Sequence, residues 1–216
     1  DGLRRMFRDQ EDVYYYVTLM NENYPHPAMP EGAEEGIRRG MYLFRDAGAK
    51  DGPRVQLLGS GTILREVIAA AELLEQDFGV QADIWSCPSF NELRRDGMDT
   101  ERWNLLHPAA SPRQSYVEQC LAPRKGPVIA ATDYIRAFAE QIRPHVPRRY
   151  VCLGTDGFGR SDYRTALRQF FEVNRHYVAL AALRALADEG AIPTSKVEAA
   201  IAKYGIDTER PAPWKV

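Results

Sequence analysis

Residues 54–87, "RVQLLGSGTILREVIAAAELLEQDFGVQADIWSC", change hydrophobic period twice, and those changes decide the fold class. Residues 54–58 place Val55, Leu57 and Leu58 in a short apolar run that ends at a glycine turn, the composition of a buried strand. Over residues 62–78, Leu64, Val67, Ile68, Ala71, Leu74 and Phe78 fall on one face of a helix, and Gly79 stops it. Residues 82–87 return to strand composition. Strand, helix and strand in succession form a right-handed crossover unit, which lays its helix on a parallel sheet.

The pattern continues on both sides. Upstream, residues 41–44 read as a strand, preceded by a Pro-rich crossing at 25–36 in which Pro25, Pro27 and Pro30 favour extended backbone over helix or ladder. Downstream, Ser89 and Glu92 have capping-box spacing at a helix start, and Asp96-Gly97 is expected to break that helix. Residues 97–126 read as a long irregular excursion with one short helix at 116–121. Residues 128–131 form a strand, 133–143 a helix capped by Thr132 with Ile135, Phe138, Ala139 and Ile142 on one face, and 150–153 the last strand. Helices follow at 163–171, at 175–188 ended by Gly190, and from a Ser195–Glu198 box to Gly205, before a frayed tail at 206–216. The fold class is α/β: a three-layer, mainly parallel five-stranded sheet with helices on both faces and one antiparallel edge strand.

At 216 residues the chain can bury a sizeable core, and 28 basic against 30 acidic residues leave no electrostatic bias toward nucleic acid or membrane. No apolar run approaches the roughly 20 residues needed to span a bilayer and no signal peptide is visible, so the expected compartment is cytoplasmic. Cys87, Cys120 and Cys152 are odd in number and unclustered, which reads as plain buried thiols. The chain opens on a charged segment without an initiator Met and runs into residues 13–20, "VYYYVTLM", β-branched and aromatic and expected to be a strand. Its abrupt start points to a piece of a longer protein.

Two glycine loops are candidate sites. Gly59, Ser60, Gly61 and Thr62 join a strand to a helix N-terminus, the geometry that offers backbone N–H groups to an anion, yet Ile63 and Leu64 stand where dinucleotide binding needs a third glycine. The corner therefore reads either as a site for a small anionic regulator or as a tight turn capped by Thr62. The second loop, "GTDGFGRSD" at 154–162, holds Asp156, Gly157, Phe158, Gly159 and Arg160. With no catalytic base, nucleophile partner or phosphate-binding Lys inside it, the reading favoured over a ligand loop is one whose Phe and Arg plug into a neighbouring subunit or domain. His26, His107, His145 and His176 lack metal spacing, and only His26, in its polar crossing, stands out as a candidate near chemistry. The acidic "EGAEEG" at 31–36 reads as a solvated turn, and the chain contains no complete catalytic set.

The stretches "YYYVTLMNENYPHPAMPEGAEEGIRRGMYLF", "VQLLGSGTILREV", "ERWNLLHP", "ATDYIRAFAEQIRPHVP" and "VCLGTDGFGRSDYRTALRQFFEV" closely resemble the C-terminal part of homodimeric pyruvate dehydrogenase decarboxylase components, and the resemblance covers nearly the whole chain. More distantly, the order of elements is similar to the third domain of transketolases. Gly-Arg-Ser-Asp at 159–162 departs from the transketolase pattern and fits the pyruvate branch. The resemblance implies a homodimeric parent that uses thiamine diphosphate and Mg to decarboxylate pyruvate and passes the acetyl group to the lipoyl acetyltransferase component. It also implies that the third domain is structural. The Gly-Asp-Gly and paired-Asn signature of the cofactor site and its activating Glu are absent here, so no catalytic, cofactor or metal residue is expected in this chain. By the same resemblance, residues 1–24 are the tail of a middle domain, 25–36 a linker and 37–205 the C-terminal domain. Its partners would be the other domains and second subunit of the parent, with no nucleic acid or membrane.

Overall fold

In a computed structural model that describes every residue except Asn21 and Lys50, the strands are β1 (Tyr42–Arg45), β2 (Arg54–Gly59), β3 (Gln81–Ser86), β4 (Val128–Ala131) and β5 (Tyr150–Leu153). They form one sheet in the order β1-β3-β2-β4-β5. Pairs β2·β3, β2·β4 and β4·β5 are parallel, and β1 is the antiparallel edge. The five strands and the odd edge agree with the sequence reading.

Alternation along the strands builds two cores. Val55, Leu57, Ile84 and Ile129 face α2 (Leu64–Phe78), α7 (Arg175–Asp188) and α8 (Ser195–Lys203). Leu58, Trp85, Val128 and Ala130 face α3 (Phe90–Leu106), α4 (Tyr116–Leu121) and α5 (Arg136–Glu140). Cys87 and Cys152 are buried in this second core; burial raises both thiols, Cys152 to about 12, so neither is a thiolate near neutral pH. Within the sheet, buried Asp83 accepts from Ala47 N (2.9 Å), Arg54 Nη1 (2.8 Å) and Gln56 Nε2 (2.8 Å), while Gln56 Oε1 accepts from Trp85 Nε1 (2.9 Å). The polar groups there are matched to each other, which holds the strands together and leaves no group for chemistry.

Several expectations fail for tertiary reasons. Helix α3 does not break at Asp96-Gly97. A Cβ on Gly97 would lie 2.1 Å from His145 Nε2, so the glycine is there to let α3 meet the buried His145 ring. Asp96 serves the fold by accepting from Tyr116 N (2.5 Å). The excursion shrinks to the stretch between α3 and α4, and α4 opens on a Ser115–Glu118 capping box. Thr132 caps no helix: its hydroxyl accepts from Tyr134 N, and the helical turns come later, in α5 and a 3-10 turn at Arg143–His145. No Ser195–Glu198 box forms, since Ser195 is already helical and Glu198 N bonds Thr194 O.

The crossing is not wholly extended either, because α1 (Glu34–Arg39) begins within it and packs Gly36 where a Cβ would lie 2.7 Å from Met41 O. Residues 13–20 join no ladder of the sheet, and Tyr14, Tyr16 and Leu19 are exposed. The tail at 206–216 docks instead of fraying. Arg210 donates to Gln169 O and Phe170 O at 3.1 Å, and Pro213 is buried.

Candidate functional site

Strand β2 leads through α2 to β3 on one side, while β4 and β5 extend the sheet on the other, so the strand order reverses between β2 and β4. In open α/β sheets the crevice beyond the carboxyl ends of the strands at such a reversal is where ligands bind. Here a crevice of about 300 Å³ occupies that place. Its walls come from Thr62 after β2, Asp133 after β4, the 155–160 loop after β5 and α6 (Arg164–Phe170), with Met20 at one edge.

The predicted anion corner forms part of it, and packing accounts for two of its residues. A Cβ on Gly59 would sit 2.8 Å from Leu64 Cα, and Ser60 N donates to Ala131 O (3.1 Å). Gly61 takes φ +55° and faces the Asp133 carboxylate, which also accepts a long hydrogen bond from Thr62 Oγ1 (3.4 Å). A carboxylate beside the corner favours a hydrogen-bond donor or cation there over an anion.

The second loop is braced. Asp156 accepts from Arg136 N (3.0 Å) and is paired with the Arg136 guanidinium, which lies 4.6 Å from the Trp214 ring. Gly157, at φ +106°, meets the tail where a Cβ would lie 2.9 Å from Trp214 Cα. Phe158 projects at 82% exposure between Gly157 and Gly159, and Arg160 lies over the Phe170 ring at 5.0 Å. The cation expected to reach across an interface is thus already stacked within the chain.

Charge around the crevice is mostly paired. Arg164 meets Glu22 (2.6 Å), and the Tyr24 hydroxyl, then Arg164, holds the Glu22 carboxyl below its usual range. Arg168 meets Glu66 (3.3 Å), which also takes Arg175 Nε (2.9 Å). Burial alone would raise the Glu66 carboxyl, but the Arg175 hydrogen bonds and the two guanidinium charges outweigh it and hold the group low. Asp133 and Arg160 are different: among the described residues, no basic side chain pairs with the first and no carboxylate with the second.

The structure brings Thr62 and the 157–160 stretch together and leaves His26 exposed and apart. His107 stacks on Trp103 at 4.5 Å and His176 on Tyr204 at 4.7 Å. Among the described residues no three His, Cys, Asp or Glu side chains are grouped to hold a metal. Sequence reasoning missed Asp133, Arg164, Leu167, Arg168 and Phe171 as crevice residues. Asp133 alone had a signal, its place just after a parallel strand next to the reversal.

This architecture, a five-stranded sheet with a reversal crevice and an exposed glycine loop, is accompanied by a direct family match. Residues 40–174 match the family described as Transketolase-like TK C-terminal domain, and the chain belongs to it. Residues 1–27 match the Pyruvate dehydrogenase E1 component middle domain. Among curated relatives, the chain is 65% identical over 217 residues to the pyruvate dehydrogenase E1 component of Cupriavidus necator, covering 100% of this chain and 24% of the relative. It is 54% identical over 215 residues to that of Escherichia coli, covering 99% of this chain and 24% of the relative. The chain thus spans about a quarter of the length of these relatives. Among solved structures, a transketolase from Leishmania mexicana aligns at a TM-score of 0.49 and 19% identity, covering 74% of this chain and 20% of that one. No helix among the described residues is long and apolar enough to cross a membrane.

Proposed function

We propose that this chain is the C-terminal structural and assembly domain, with the end of the middle domain, of a thiamine-diphosphate-dependent pyruvate dehydrogenase. The full-length enzyme decarboxylates pyruvate and passes the acetyl group to a lipoyl carrier in the cytoplasm. Residues 1–24 belong to the middle domain, 25–36 link, and 37–205 form the C-terminal domain. The relatives' identity and the two family matches support this reading.

The residues present do not fit thiamine diphosphate or its Mg. The crevice offers Asp133 as its one carboxylate, and the described residues group no three metal-ligating side chains. In this reading catalysis lies with parts of the parent outside this chain, and the chain alone is expected to be inactive.

What remains for this domain is assembly, and the observation that carries it is Phe158. An aromatic side chain 82% exposed, on a loop fixed by Asp156–Arg136 and by Trp214, is a preorganised anchor for another subunit or domain. Truncating it with Phe158→Ala in the full-length enzyme is expected to weaken the dimer by about 2 kcal/mol, roughly thirtyfold. The same substitution in the 216-residue chain should leave the melting temperature unchanged, because the side chain supports no core. Sedimentation of the first and melting of the second check this; an unchanged dimer with a destabilised chain would mean that the loop packs inward and would end the assembly reading.

A further inference from the structure

We propose that the crevice at the strand-order reversal binds a small zwitterion of the α-amino acid class, with its ammonium against Asp133 and its carboxylate against Arg160. This goes beyond the assembly role and does not depend on it. Two of the three arginines lining the crevice have a carboxylate partner, Arg164 in Glu22 and Arg168 in Glu66, which it shares with Arg175. That leaves one carboxylate and one guanidinium of opposite sign facing the same space, each without an ionic partner among the described residues.

A simple anion would meet Arg160 but sit against the Asp133 carboxylate, and a simple cation would do the reverse, so either singly charged ligand loses at one end what it gains at the other. A molecule with both charges satisfies both ends. Asp133 is half-buried beside the Gly61 turn, where the hydroxyl oxygens of Thr62 and Thr155 give an ammonium two further acceptors. Arg160 stands at the exposed rim, where its planar guanidinium can take a carboxylate with two hydrogen bonds. Met20, Leu167 and Phe171 add apolar wall to the same crevice. A volume of about 300 Å³ is at the lower limit of ligand sites, which suits an amino acid with an aliphatic side chain and excludes a nucleotide.

L-Leucine is the probe, titrated calorimetrically into the 216-residue chain beside two analogues that each lack one charge, N-acetyl-L-leucine and L-leucinamide. Saturable binding of L-leucine is expected, at least about tenfold tighter than either analogue, with a melting temperature that rises with its concentration. Asp133→Asn and Arg160→Gln should each weaken L-leucine at least about tenfold. The proposal is overturned if L-leucine shows no saturable binding up to about 20 mM. It is equally overturned if either analogue binds as well as L-leucine. The analogue arm uses the unaltered chain, so it decides the matter even if a variant fails to fold.

Discussion

Gly97 sits inside a 17-residue helix, where glycine ordinarily costs stability, and it is kept there by one neighbour. The His145 ring is buried, and a Cβ at position 97 would approach its Nε2 to 2.1 Å, Cδ2 to 2.4 Å and Cε1 to 2.7 Å. Three ring atoms at that range cannot all be relieved by a small rotation. Gly97→Ala is therefore expected to destabilise the chain by about 2 kcal/mol, although alanine is the better helix former, because overpacking outweighs the propensity gain. Urea unfolding measures it. Adding His145→Ala removes the obstruction, so the double variant should lose less than the sum of the two single losses. A single-variant loss under about 0.5 kcal/mol would show that the ring moves aside.

That position also shows where the sequence stops being readable. All five strands and the long α2 and α7 helices were legible because their own residues carry the period that packs them, as Leu57 and Leu58 do by facing opposite cores. Asp96-Gly97 was misread as a break because its reason lies in His145, on a distant turn, and Thr132 was misread as a cap because the chain after β4 first bends to receive Thr155 N on Tyr134 O. The glycine loops were legible as loops, whereas the crevice between them was not, since the α6 residues reach it through topology alone. The tail belongs with these. As a chain terminus it reads as frayed, yet Trp214 and Pro213 close on Gly157, and Arg210 and Arg160 both lie over Phe170 at 5.0 Å. Deleting residues 206–216 is expected to speed amide exchange at 154–162 by about tenfold or more, the cost of losing a local brace, while β5 stays protected. Exchange at the loop unchanged by the deletion would show that Asp156–Arg136 holds it unaided.

At the scale of the whole molecule, the N-terminal segment and the sheet domain share few ties. Met20 borders the crevice, Glu22 pairs with Arg164, and Tyr24 lies under Arg65 at 4.4 Å and near Arg168. Before Met20 the contacts are local, such as Arg5 with Glu11 and with Tyr15, and no residue of the Arg4–Arg8 turn is buried. Glu66, by contrast, ties α2 to α6 and α7 from a position with 6% exposure, so the sheet domain is closed on itself without the segment. Removing residues 1–19 should thus change stability by no more than about 0.5 kcal/mol, as for surface changes away from packed features. In a chain of this size that is a shift of about 2 °C or less in melting temperature. The same deletion removes the exposed Tyr14, Tyr16, Val17 and Leu19, an apolar run with no partner strand, and should reduce self-association seen by light scattering on heating. A fall of about 5 °C or more would mean that the segment is folded into the sheet domain, and the boundary between a middle-domain tail and an independent C-terminal domain would have to move toward the N-terminus.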